Sequence, residues 1–284
     1  MPEEKERKVG PVYRILSQDL YSTDLHGDEL GVRQHEVWRS KSRQFTKDAE
    51  IIGKIEEAHR DEKTDRLGSP KKAGFIALRS SLLKGELNEA SKRLVIKLFS
   101  DSGAWLATIE EMVAESYASS YATNEAMVSF AVIVNDIEVM TYVRQVQRTG
   151  FSPETYSFYI LGPDNTFEVF MIEGKRGTFG DDFKVVRLNG GETVADIDSK
   201  FGDIGGEFVV KIKDSVLANN NWFCRVLQCF STIVRFREEI RKRHEHFMKE
   251  WEKGKVEPLQ HRYEISLLAN PRKLTLSLDE LEEM

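Results

Sequence analysis

One pattern occurs twice in this chain of 284 residues, at a spacing of 25, first from Val169 to Val185 and again from Val194 to Val210. Both copies read V-x-x-I-(D/E)-x-K-x-G-x-(F/I)-G-x-(D/E)-F-x-V, with seven positions identical and three close in chemistry. A repeat of this length is one supersecondary unit used more than once. Within each copy two β-rich runs flank a glycine-bracketed loop carrying one apolar residue, Phe179 or Ile204. Glycine alone tolerates left-handed backbone angles cheaply, so the two copies are expected to share one loop geometry. Short β-rich runs at 156–161, 167–172, 183–188, 194–197 and 208–212 are separated by turn signals such as Gly162-Pro-Asp-Asn and Asn189-Gly-Gly.

The first half reads differently. Tyr13–Leu16 suits a short strand, and from Thr46, a suitable N-cap, Ala49, Ile52 and Ile55 share one helical face. Helical spacing recurs over 86–99 through Leu87, Ala90, Leu94 and Leu98, and over 105–120 through Leu106, Ile109, Val113 and Tyr117. The apolar run 126–147 is ambiguous: its β-branched content suits strands, but it is too long for one strand and a buried helix is the favoured assignment. Arg148-Thr-Gly-Phe-Ser-Pro marks the change of period.

Beyond the repeat, Asn219 and Asn220 cap a long helix whose first half is apolar nearly all round (Phe223, Val226, Leu227, Phe230, Ile233, Val234). Its second half, 235–255, keeps only a narrow stripe amid mixed charge and reads as a solvated face with i, i+4 pairs. Tyr263–Leu267 and Leu274–Leu278 alternate about Asn270-Pro271 as a terminal hairpin. The expected fold is therefore α+β, with a predominantly helical N-terminal region at 1–150. An antiparallel β-region with a long, partly buried helix follows at 151–257, and a terminal hairpin with an acidic tail at 258–284.

Apolar residues make up 40% and charged residues 31% of the chain, with a net charge of −6, a soluble balance that does not make nucleic acid the first-choice partner. The charged N-terminus has no apolar signal core, and 126–143 is interrupted by Asp136 and Glu138, so no transmembrane segment is expected. Cys224 and Cys229 read as buried thiols of a reducing compartment. Asp196, Asp198 and Glu207 imitate a calcium loop, but Lys200 stands where an oxygen ligand belongs, Phe201 replaces the turn glycine, and Met171 replaces the first Asp in the sister copy. No metal, cofactor or catalytic residue is assigned, since the six histidines are scattered and no phosphate loop or nucleophile elbow is present. Lys175, Arg176 and Lys200 occupy equivalent repeat loops and are the candidate ligand-binding residues, suited to an anionic headgroup or phosphate.

The run Ile172-Glu-Gly-Lys-Arg-Gly-Thr-Phe-Gly-Asp-Asp-Phe-Lys-Val185, then Val194–Lys200, then Phe208–Ile212 leading into Trp222–Val234, resembles the C-terminal half of the tubby-like family. That family includes the LURP-one-related proteins and the phospholipid scramblases. The resemblance implies a barrel or half-barrel closed around a C-terminal helix, and association with membrane lipid or an adaptor role rather than metabolism. The expectation is a non-enzymatic intracellular binding module, cytoplasmic and able to work at a membrane surface, for anionic phospholipid or a protein partner. The alternative is an assembly protein, a homo-oligomer joined through residues 222–253 and the terminal hairpin.

Overall fold

The computed structural model describes residues 11–20, 45–46, 48–61, 63–84, 92–147, 153–162, 166–175, 182–200 and 206–255. Strands β1 (Arg14–Leu20), β2 (Ala49–Asp61), β3 (Arg66–Leu67), β4 (Lys71–Arg79), β5 (Val95–Ser100), β6 (Trp105–Glu111), β7 (Ser129–Val134) and β8 (Val139–Gln147) form the first half. Strands β9 (Thr155–Leu161), β10 (Phe167–Gly174), β11 (Phe183–Arg187), β12 (Thr193–Lys200) and β13 (Glu207–Ile212) form the second. The helices are α1 (Ser80–Lys84), α2 (Val113–Thr123), α3 (Ser215–Ala218) and α4 (Asn221–Glu252).

Neighbouring strands run antiparallel from β13 back through β12 to β4 and then β2; β1 pairs with both β13 and β2 and so closes the ring. Twelve strands make this closed barrel, and the two-residue β3 attaches to β2 alone. Closure removes the open edges along which sheets aggregate. A ring of this size encloses more space than side chains alone fill, so its lumen needs an occupant. The apolar first half of α4 is that occupant: Phe223, Val226, Leu227, Phe230 and Ile233 are fully buried among the inward side chains of the wall. Asn220 caps the helix as its sequence suggests, accepting from the Phe223 amide at 3.1 Å.

The predominantly helical N-terminal half is overturned. The stretch from Thr46 is β2, the helix expected over 86–99 ends as β5, 105–111 is β6, and 126–147 folds as the antiparallel pair β7–β8; only Val113–Thr123 keeps part of an expected helix. In β5–β7 the cause is burial on both faces, whereas in β2 Ala49, Ile52 and Ile55 stand three apart and imitate a helical face although the strand keeps an exposed side. A half-exposed strand alternates apolar and polar residues, whereas every residue of β7 is buried, and β5 is buried from Val95 to Phe99. Phe45, Phe75 and Phe99 make a small aromatic core on the outside of this wall, Phe75 and Phe99 stacking at 5.1 Å. Gly74 lies so close to β5 that a Cβ would stand 1.9 Å from the Phe99 carbonyl oxygen, a fit open to glycine alone. Strands on either side of residue 150 belong to one sheet. The terminal hairpin expected over 263–278 lies outside the described residues.

The duplication is present in three dimensions. Ile172 pairs with Val185 and Ile197 with Val210, so the second hairpin has the register of the first with both strands advanced by 25 residues. Even the closing hydrogen bond is shared: the Leu188 amide donates to Val169 and the Lys213 amide to Val194, both at 25-residue offsets.

Filling the lumen with aromatic side chains sets the cost of emptying it. Phe230 packs edge-on to Tyr156 and Phe183 at 5.0 and 5.1 Å. Phe230→Ala is expected to lower the unfolding free energy by about 3–5 kcal/mol. Val146→Ser, on an exposed stretch of β8, should change it by less than about 0.5 kcal/mol; urea unfolding measures both.

Candidate functional site

Three wall carboxylates meet basic groups carried by α4 inside the barrel. At the near mouth, where α4 begins, Glu57 of β2 accepts from Arg14 at 2.6 Å, from Arg225 at 3.2 Å and from the Gln228 side chain at 2.9 Å. Arg14 also donates to the Ala218 carbonyl at 2.9 Å, tying β1 to α3. Burial raises the Glu57 carboxyl, but the charges of Arg14 and Arg225 outweigh it and hold the group below its ordinary value. Deeper in, the Gln18 side-chain amide donates to the Gln228 carbonyl at 2.7 Å.

Further along the helix, Glu154 receives Arg241 and, at 3.3 Å, Arg237, while Arg241 also donates to the Tyr156 hydroxyl at 3.0 Å. Burial, then the nearby Glu154 charge, pushes the Tyr156 phenol well above its usual range. At the far mouth Glu111, fully buried at the end of β6, is clasped by Arg243 and lies 2.8 Å from His244 Nε2; it also accepts the Leu94 amide at 2.8 Å. His244 Nδ1 faces the Met127 carbonyl at 3.2 Å, so both ring nitrogens meet acceptors. Burial raises the Glu111 carboxyl, but Arg243 and His244 together hold it down to about 2. Tyr117 of α2 stacks on Phe247 at 4.3 Å and closes the helix's exit.

The expected ligand residues lie elsewhere, on the outer wall by the far mouth. Lys175 follows β10 and reaches Asp198 at 2.8 Å and Asp196 at 3.2 Å. Lys211 meets Asp198 at 2.9 Å, and Lys213 meets Asp196. Lys200, at the equivalent station of the second copy, pairs with Glu207 at 2.6 Å. Burial lowers the Lys175 ammonium, but its bond to Asp198 and the Asp196 charge outweigh this and raise it above its ordinary value. Lys175 and Lys200 thus have separate carboxylate partners and do not converge on one point. Arg176 lies outside the described residues. Asp196 and Asp198 face ammonium groups, and among the described residues no group of three or more His, Cys, Asp or Glu is placed to hold a metal ion. Among the described residues no helix is long and apolar enough to cross a membrane. Cys224 and Cys229 are buried and free, and burial pushes the Cys224 thiol up to about 11.

Comparison of the chain with protein-family models, curated proteins and solved structures finds no match in any of the three.

The buried arginines are the feature that the solvated-helix reading of 235–255 overlooks. Arg237, Arg241 and His244 recur at helical spacing beside Ile240 and Phe247, so they share the inward stripe. That spacing was the available signal. The depressed Glu111 carboxyl makes stability pH-dependent: its contribution is complete above about 4.5, its ordinary value, and is lost as pH falls toward about 2. Glu111→Gln is expected to cost about 3–5 kcal/mol at neutral pH, because Arg243 loses its buried partner. It should also flatten the acid limb of the stability profile, as read by chemical unfolding at a series of pH values.

Proposed function

We propose that this chain is a non-enzymatic binding module on a tubby-like barrel, and that it binds a protein partner with its outer wall. The observation that carries the reading is the filled lumen. Barrels that carry a small ligand keep an interior space for it, whereas this one is occupied by Phe223, Val226, Phe230 and Ile233 of its own helix. Recognition is thereby assigned to the exterior. The closed antiparallel ring with a helix threaded through it also supports the tubby-like reading.

Of the two expected ligand classes, anionic phospholipid and a protein, the ion pairs favour the protein. An anionic headgroup at Lys175 would compete with Asp196 and Asp198 for the same ammonium, and at Lys200 with Glu207. A surface lysine gains only about 1 kcal/mol from an anionic leaflet, and nearby carboxylates oppose even that.

Co-sedimentation with vesicles containing phosphatidylserine separates the two classes. The wild-type chain is expected to stay in the supernatant, and Asp196→Asn with Asp198→Asn to increase the bound fraction by releasing Lys175, Lys211 and Lys213. Wild-type binding that Lys175→Glu and Lys200→Glu abolish would establish the lipid reading instead.

A further inference from the structure

The duplicated hairpins form an experiment within one molecule. Three inward stations are kept: Ile172 and Ile197, Phe183 and Phe208, and Val185 and Val210 are all buried, while buried Phe170 gives way to buried Ala195. Of the outward stations Glu173 and Asp198 stay acidic, Lys175 and Lys200 stay basic, and Lys184 gives way to Val209, but four others part company in the opposite sense. Phe167, Met171, Val186 and Leu188 of the first copy stand where the second has Glu192, Asp196, Lys211 and Lys213, each 25 residues on. The second copy's charges form ion pairs across its own wall, Lys213 with Asp196 and Lys211 with Asp198. The same hairpin therefore folds with charge at these stations, and the apolar set on the first copy is not needed to build the barrel.

That set is contiguous. Phe167 is paired with Leu161 across β9–β10, and its ring lies 5.1 Å from that of Tyr159, the partner of Val169. Phe167 and Leu188 are each 58% exposed and Leu161 42%. Exposed apolar residues gathered on one face mark an interaction site rather than a scattered surface. Ile137, in the β7–β8 turn, and Val216, in α3, extend the exposed apolar surface around the near mouth.

Charge identifies what fits there. Asp136, Glu168, Glu192 and Asp214 lie along this arc. Arg187 answers three of them, at 3.3 Å (Glu168), 3.2 Å (Glu192) and 2.9 Å (Asp214), and Arg225 faces Asp136 at 3.5 Å. Lys213, beside Asp214, is turned to Asp196. Four carboxylates against two guanidiniums leave an acidic border, which repels an anionic leaflet and attracts a cationic partner.

We propose that the outer face of the first repeat copy, with the near-mouth turns beside it, docks a partner protein through an apolar segment flanked by Lys or Arg. This rests on the outer-wall reading above and names the partner's chemistry. The test uses fluorescent synthetic peptides of about 12 residues, a length matched to segments that lie in a surface groove. One alternates Leu and Phe with Lys, a second replaces Lys with Glu, and a third replaces the apolar residues with Ser. Anisotropy with the full chain should show binding of the apolar basic peptide, weakened by salt. Phe167→Ser with Leu188→Ser should weaken it at least about tenfold. Glu192→Lys should weaken it too, while urea unfolding shows both variants folded. Equal binding of the acidic peptide, or of the Ser–Lys peptide, overturns the proposal. So does anionic-vesicle binding, or dimerisation in sedimentation, that the Phe167 and Leu188 substitutions abolish. If those substitutions leave peptide binding intact while Lys175→Glu removes it, this inference falls and outer-wall recognition stands. A wild-type chain that binds none of the peptides overturns this inference, and anionic-vesicle binding lost only on Lys175→Glu and Lys200→Glu overturns the protein-partner reading instead.

Discussion

Contacts between apolar surfaces have no direction, so the close packing of Phe223, Val226, Phe230 and Ile233 specifies the height and turn of α4 less sharply than directional bonds do and leaves it a residual freedom. Hydrogen-bonded ion pairs remove that freedom, because their energy falls steeply with distance and angle. Glu57, Glu154 and Glu111 grip α4 at Arg225, at Arg237 with Arg241, and at Arg243. From Arg225 to Arg243 the helix advances about 27 Å. One anchor near the start of the helix and a group of three past its middle fix its height and its rotation together. Burying charge costs about as much as pairing regains, so the main product of these pairs is register rather than net stability.

Register matters because wall and helix are each incomplete alone. The ring leaves a lumen that its inward side chains do not fill, and α4 carries more apolar surface than a helix in water can bear. Each supplies the burial that the other lacks. Arg14 joins the closure to the filling: it sits on β1, the strand that seals the ring, and binds both Glu57 on β2 and the carbonyl of Ala218 that leads into α4. Sealing the barrel and seating the helix are thereby coupled.

The β-architecture was legible in β10–β13, where one sheet face meets water, but not in β2 and β8, which also keep an exposed side while their apolar residues fall at helical spacing. In β10–β13 inward Ile172, Val185, Ile197 and Val210 alternate with half-exposed Glu173, Lys184, Asp196, Asp198 and Lys211, and the 25-residue offset carries the hairpin register directly. It was illegible in β5–β7, where Val95–Phe99 and Ser129–Val134 are buried on both sides and a continuous apolar run imitates a buried helix. The interior carboxylate sites were hidden for a related reason. Glu57, Glu111 and Glu154 lie far in sequence from Arg225, Arg243 and Arg241, and only barrel closure brings them together. Lys175 and Lys200 were found at equivalent stations, but their partners Asp196, Asp198 and Glu207 follow from the strand pairing.

Duplication explains how the two outer faces of such a wall come to differ. The inward side of a hairpin is held by packing against α4, where a lost methylene is felt, so Phe183 and Phe208 remain alike. The outward side answers only to solvent and to neighbours on the same face, so the copies can diverge there without disturbing the lumen. In the second copy the outward stations became a ladder of ion pairs that satisfies itself through Asp196, Asp198, Lys211 and Lys213. In the first, one ion pair, Lys184 with Glu173, stands beside exposed apolar area at Phe167 and Leu188. A wall that satisfies its own charges resists new partners, and a wall that leaves Phe167 and Leu188 exposed beside an acidic border invites one. The chemistry of the two outer faces differs because the interior that they share leaves it unconstrained.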